Sequence, residues 1–354
     1  MLEPRAAVRN LYPYRPPLAG REGLRLDFNE SSIGCSPRVL ARLRLLDAEA
    51  LARYPEREPV ESVVADFLGL DAAQVLLTNG VDEAIHLLCS TYLDPGDEAI
   101  IVVPTFAMYA LFAQAEGARV VQVLAGENFT FPLEDVLSRI SPRTRLIAVA
   151  NPNNPTGAAV ACDVLLRIAQ AAPHAALLAD EAYFEFHGET ILQNTPRPAN
   201  LFVARTFSKA YGLAGLRIGI LAGDAEQIAM VRRVASPYNV NAAALAVLPE
   251  AIRDQEYVHN YVAEVRRSRV GLEQELKTLG LHHWPSRANF VLVRIGPAYA
   301  EFVHALRARR ILVRDRHTDP GCKGCVRLTV GSDEHTRTLI GALRDVVREL
   351  EVRM

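Results

Sequence analysis

The chain has 354 residues, half of them hydrophobic, and a formal net charge of −2. That length suits one large and one smaller domain, and the near-neutral balance with scattered arginines argues against a nucleic-acid partner. No apolar run nears the roughly 20 residues of a bilayer-spanning helix and Met1–Asn10 lacks a signal-like apolar core, so a cytoplasmic protein with no membrane partner is expected.

Cys35, Cys89, Cys162, Cys322 and Cys325 make an odd set. Only Cys322 and Cys325 form a CxxC, which supplies two of the four ligands of a structural zinc and has no second pair to complete it. Reduced core or loop cysteines are the expectation, and no metal. Asn128-Phe-Thr130 matches a glycosylation acceptor, a match that is empty without a secretory signal.

In chain order, Pro13, Pro16 and Pro17 mark an irregular N-terminal arm, residues 1–30, expected to form part of the small domain together with the C-terminal part of the chain. From Gln74 to Gly223 short apolar runs alternate with helical patterns. The runs are Val75–Leu77, Ala99–Val103, Val120–Leu124, Leu146–Ala150, Ala176–Ala179, Leu201–Ala204 and Ile218–Ala222. Most lack a polar face, as strands of a mainly parallel sheet covered on both sides do. Helical stretches such as Asp82–Leu93, Met108–Glu116 and Asp163–Ala171 separate them. The fold class is therefore α/β: a large sheet sandwiched by helices over residues 31–245, with ligands at the C-terminal ends of its strands. After Asn241 comes a long charged helix through Tyr257, Tyr261, Val265 and Leu272. Phe290–Ile295, a helix near Tyr299–Arg309, Ile311–Arg314, Val326–Val330 and a last helix then describe a smaller α+β domain, 246–354.

Chemistry-bearing residues gather where the apolar runs end. Thr78-Asn-Gly80-Val81-Asp82 joins a strand to a helix N-terminus, where free N–H groups suit a phosphate and Gly80 allows close approach; Asp82 equally fits a plain helix-end stabiliser. Phe106, after Pro104-Thr, is placed to stack on a flat ring or to join the core. Asn151-Pro-Asn-Asn154-Pro-Thr-Gly157 makes a polar loop offering the Asn154 amide, or a structural turn. Ala176-Leu-Leu-Ala-Asp180-Glu-Ala-Tyr183 ends an apolar strand with a carboxylate, which suits the protonated ring nitrogen of a pyridoxal cofactor or caps a helix. No GxxxxGK[ST] accompanies it as a nucleotide-binding site would require.

Ala204-Arg-Thr206-Phe-Ser208-Lys209-Ala-Tyr-Gly-Leu-Ala-Gly-Leu-Arg217 places one lysine at a strand end. Burial and positive neighbours lower such an amine's pKa and make it a nucleophile toward a carbonyl, while Ser208 and Arg217 reach toward a phosphate. A surface turn with a snorkelling lysine is the bland alternative. The glycine spacing after Lys209 is not GxGxxG, which excludes a nicotinamide site. In the small domain Arg314 and Arg327 lie at short apolar strands, suited to a carboxylate or phosphate, with a surface salt bridge as the alternative for Arg314.

Taken together and in order, these motifs resemble the fold-type I pyridoxal-phosphate aminotransferases. Within them the chain is similar to the histidinol-phosphate aminotransferase group, on Val8–Tyr14, Asp27-Phe-Asn-Glu30, Arg53-Tyr54-Pro55, Asn79–Glu83, Pro104–Tyr109, Leu312–Asp315 and Gly324–Gly331. It departs at Phe106, where the group often carries tyrosine, and at Ser31-Ser32, where Asn or Tyr and then Pro is usual. The resemblance implies pyridoxal 5'-phosphate on Lys209, Asp180 at the ring nitrogen, Asn154 and Tyr183 at the ring oxygen, and Phe106 on the ring face. It assigns the cofactor phosphate to Gly80, Val81, Asp82, Thr206, Ser208 and Arg217. Tyr54 would come from the neighbouring subunit of a homodimer. Arg327 would take the donor's α-carboxylate, and Tyr14, Asn154 and Arg314 would bind substrate. The implied substrates are L-histidinol phosphate and the glutamate/2-oxoglutarate pair, in histidine biosynthesis. Alternatives are an aromatic amino-acid aminotransferase, a threonine-phosphate decarboxylase, or a catalytically silent ligand-binding relative.

Overall fold

The structure, a computed structural model, describes residues 2–9, 11–14, 20–193 and 196–351. Asn10, Pro16 and Pro17, quoted above for the N-terminal region, lie outside the described residues. Thirteen strands are assigned among them. They are β1 (Leu24–Arg25), β2 (Val75–Thr78), β3 (Glu98–Val103), β4 (Arg119–Leu124), β5 (Thr144–Ala150), β6 (Ala176–Asp180), β7 (Leu201–Thr206), β8 (Gly219–Ala222), β9 (His282–His283), β10 (Phe290–Arg294), β11 (Ile311–Leu312), β12 (Arg314–Asp315) and β13 (Cys325–Thr329).

Seven of these build one sheet in the order β2-β8-β7-β6-β5-β3-β4. Its neighbours run parallel from β7 across to β4, and only β8 is antiparallel to both of its partners. Six of the apolar runs of the sequence are these strands extended by one or two residues where the ladder continues, and β8 begins one residue later than its run, at Gly219. Their period-two alternation splits the core. Ile147, Val149, Leu177, Ala179 and Val203 pack on one face, and Leu146, Ala148, Leu178, Phe202 and Ala204 on the other. An edge strand needs only one covered face, and in β4 only Val123 is buried. Crossover helices Val81–Tyr92, Met108–Ala115 and Cys162–Ala171 return the chain for parallel pairing. All the turns that follow β3, β5, β6 and β7 therefore lie along one rim.

Beyond the sheet, a helix capped by Asn241 (Ala242–Arg253) leads into the long helix Gln255–Thr278. A second, antiparallel sheet follows, ordered β12-β13-β10-β9, with the final helix Asp333–Glu351. The run Ile311–Arg314, read as one strand, is two. Ile311–Leu312 pairs parallel with Leu24–Arg25 and Arg314–Asp315 joins β13. The first pairing needs Gly23: a Cβ there would stand 2.2 Å from the Arg310 carbonyl oxygen. The N-terminal strand is thereby tied to the C-terminal part of the chain, beside the rim.

All five cysteines are free, with Cys89, Cys322 and Cys325 buried. Among the described residues no helix is long and apolar enough to cross a membrane.

Candidate active site

A cavity of about 510 Å³ opens between the rim of the large sheet and the small sheet. Of the side chains singled out from sequence, it brings together Tyr14, Val81, Asp82, Phe106, Asn154, Asp180, Tyr183, Thr206, Ser208, Lys209, Arg217, Arg314 and Arg327. A separate cleft of about 400 Å³ around Phe184 and Glu185 shares only Thr206 with it. Gly80 sits just behind the wall, under Arg217. Tyr54 stands apart: it is 77% exposed and stacks on Tyr238 at 4.3 Å, outside the cavity of its own chain.

Lys209 follows β7, and its Nζ donates to the Phe28 carbonyl at 3.0 Å. Of the chain's three lysines, Lys277 and Lys323 are exposed, whereas Lys209 is largely enclosed. Burial, and next the Arg327 guanidinium, lower its pKa to about 8. Phe28 is fixed in turn by Arg21, which holds Asp27 through two hydrogen bonds of 3.1 and 2.8 Å and reaches Glu30 at 2.9 Å.

Asp180 closes β6 in a fully buried position. Burial pushes its carboxyl up to about 6, while the Tyr109 hydroxyl (2.5 Å) and the Ala182 amide (3.0 Å) donate to it and favour the carboxylate. Its neighbour Glu181 takes another course, accepting from Arg205 at 2.9 and 3.0 Å. The D-E pair thus serves one site residue and one internal ion pair. Tyr183 accepts from Asn29 Nδ2 at 2.9 Å, and Phe106 meets Tyr109 edge-on at 5.9 Å.

At the opposite end Gly80 caps the helix Val81–Tyr92 with φ 77°. A Cβ on Gly80 would lie 2.5 Å from Arg217 Nη2. That guanidinium pairs with Asp82 at 3.0 Å, and beside them Ser208 Oγ is buried with no hydrogen-bond partner among the described residues. Free helix N–H groups, an arginine and an unsatisfied hydroxyl form a cradle for a phosphate.

The small sheet supplies the last wall. Arg327 Nη1 donates to Asn154 Oδ1 at 2.5 Å and Nη2 to the Asp27 carbonyl at 2.6 Å. Burial works against its charge, yet a guanidinium stays protonated. Arg314 Nη2 donates to the Tyr14 hydroxyl at 3.0 Å.

The match to the model of the family "Aminotransferase class I and II" runs over residues 21–343. The chain belongs to the class I and II aminotransferases. It is 33% identical over 349 residues to histidinol-phosphate aminotransferase 1 of Trichormus variabilis, covering 97% of each chain, and 36% identical over 333 residues to the histidinol-phosphate aminotransferase of Dinoroseobacter shibae, covering 90% of each. Among solved structures it resembles histidinol-phosphate aminotransferase from Sinorhizobium meliloti in complex with pyridoxal-5'-phosphate, with TM-score 0.89, 26% identity and 98% of each chain covered. Aspartate aminotransferase from Thermus thermophilus with maleate gives 0.78, 26% and 92% of each.

For this aminotransferase, sequence reading assigned no role to Tyr109, Asn29 and Arg316, all at the cavity or bonded into it. Tyr109 lies in the helix Met108–Ala115, which Phe106 precedes, so no shared helical face linked the two. Asn29 carried no local signal either.

Proposed function

We propose that this aminotransferase exchanges an amino group between L-histidinol phosphate and 2-oxoglutarate, as a cytoplasmic homodimer serving histidine biosynthesis. The observation that carries the substrate is the arginine wall of the small sheet, where Arg314 and Tyr14 meet at the cavity opposite Lys209. It supplies cationic donors for an anionic end several ångströms from the amine, and the relatives named above support the same reading.

Pyridoxal phosphate fits the remaining residues. Its phosphate suits the cradle of Gly80, Val81, Asp82, Thr206, Ser208 and Arg217, and would satisfy the orphaned Ser208 Oγ. Asp180 would meet the ring nitrogen, Asn154 and Tyr183 the ring oxygen, and Phe106 the ring face. When bound, the cofactor supplies an electron sink next to the reacting carbon. Lys209 carries the cofactor between turnovers, and its Nζ then takes the proton from the substrate α-carbon. Asp180, held by Tyr109 as carboxylate, keeps the ring nitrogen protonated. Arg327 binds the α-carboxylate of glutamate. Tyr54 completes the site of the neighbouring subunit.

The test is a half-reaction titration of the cofactor-loaded enzyme, followed by the cofactor's absorbance, with histidinol phosphate, phenylalanine and threonine phosphate in separate experiments. Conversion to the amine form of the cofactor at the lowest concentration by histidinol phosphate is expected. Preference for phenylalanine, or carbon dioxide release from threonine phosphate, contradicts the reading.

A further inference from the structure

Three guanidiniums share one face of the small sheet. Arg314 stands opposite Arg327 in the β12–β13 register, and the Arg316 amide continues that ladder to the Cys325 carbonyl at 3.0 Å. Side chains two apart on a strand project to the same side, and Arg314, Arg316 and Arg327 all line the cavity. Arg327 is held by Asn154 and Asp27, and Arg314 by Tyr14. Arg316 has a partner of its own: its Nη2 lies 2.7 Å from Asp319 Oδ2, with side chains only 13% and 24% exposed. Its Nε is buried without a hydrogen-bond partner among the described residues.

The loop that carries the pair is built to hold it still. Asp319 N–H donates to the Arg316 carbonyl at 3.0 Å, Cys322 N–H to the Asp319 carbonyl at 2.9 Å, and Cys325 N–H to the Cys322 carbonyl at 2.8 Å. His317 stacks on Tyr299 at 4.1 Å, and its Nδ1 accepts the Gly324 amide at 3.1 Å. A guanidinium fixed in this way loses little freedom when it takes a ligand.

The two amino donors of the proposed reaction differ in their side chains, a carboxyethyl group against an imidazolylmethyl group, and in the group on the other side of the amine-bearing carbon. Where glutamate bears a carboxylate directly on the amine-bearing carbon, histidinol phosphate bears a longer CH₂–O–phosphate with three acceptor oxygens and up to two charges. One bidentate guanidinium answers a carboxylate, and a dianionic phosphomonoester takes more. We propose that Arg316, held in place by Asp319, is a specificity-determining residue that engages the phosphomonoester and not the α-carboxylate of glutamate. This rests on the functional reading above and assigns the donors within it.

The experiment compares single-turnover kcat/KM for histidinol phosphate, unphosphorylated histidinol and glutamate in wild type, Arg316→Gln and Arg316→Lys, with melting temperature as the fold control. Losing a charge-assisted hydrogen bond predicts about a tenfold to hundredfold fall for histidinol phosphate in Arg316→Gln. Histidinol and glutamate should stay within about threefold, since neither uses that bond, and Arg316→Lys should keep part of the preference. Equal losses on all three amines, or unchanged use of histidinol phosphate, overturn the proposal. A wild-type enzyme that does not prefer histidinol phosphate over histidinol overturns the functional reading and this inference with it, whatever the variants do.

Discussion

Asp180 and Lys209 are ionisable groups whose surroundings push them in useful directions. Desolvation alone would leave Asp180 protonated near neutral pH; the Tyr109 hydroxyl, itself held far above its usual pKa by burial, donates and opposes this. Tyr109→Phe should therefore raise the Asp180 pKa, move the acidic limb of the kcat/KM profile to higher pH, and lower kcat about tenfold, as loss of about 1.5 kcal/mol to a charged acceptor implies. A limb that stays in place or moves down contradicts this. For Lys209 the neutral amine becomes the major form above about 8 instead of the usual 10.5. The rate at which cofactor-free protein takes up pyridoxal phosphate should climb through that pH and level off, and a rate still rising at pH 10 would deny the shift. Both residues are legible in sequence because Asp180 closes the buried strand β6 and Lys209 sits in the polar turn that follows the buried strand β7. Tyr109 and Asn29 are not, because their partners Asp180 and Tyr183 lie 71 and 154 positions away and no local pattern records such a meeting.

At the scale of elements, the cradle we propose for the cofactor phosphate lies at a junction where β2, β8 and the helix Val81–Tyr92 crowd together. Gly219 admits no Cβ, which would stand 3.0 Å from the Gly80 carbonyl carbon, and Gly80 admits none against Arg217. Gly80→Ala adds a positive-φ strain of about 1–3 kcal/mol and displaces the arginine. The expected outcome is cofactor affinity at least about tenfold weaker and a lower melting temperature, measured by fluorescence titration and thermal unfolding. Unchanged affinity would remove Arg217 from the cradle. The inner strands of the large sheet were readable because burial on both faces leaves nearly unbroken apolar runs. The split at Val313 was not, since it depends on Gly23 letting a distant two-residue strand approach Arg310.

Over the whole molecule, the chain divides in our reading into an arm (1–30), a large unit (31–245) and a small unit (246–354), with the cavity where they meet. Exposed Leu40, Leu45, Leu51, Tyr54, Val234 and Tyr238 supply apolar surface of the sort an interface covers, consistent with Tyr54 serving a second subunit. If so, Tyr54→Ala and Lys209→Ala proteins, each of low activity, should recover activity when unfolded and refolded together. Random pairing makes half the dimers mixed with one intact site each, so about a quarter of wild-type sites return. Absence of recovery would place Tyr54 outside the site.

The claim on which everything above depends is that Lys209 carries the cofactor. Borohydride reduction of the enzyme loaded with pyridoxal phosphate, followed by digestion and mass spectrometry, reads this directly, because the chain has only Lys209, Lys277 and Lys323 to modify. The account predicts the pyridoxyl adduct on the Lys209 peptide, near one per chain, with the two exposed lysines nearly unmodified. An adduct spread over Lys277 and Lys323, or none on Lys209, would contradict it.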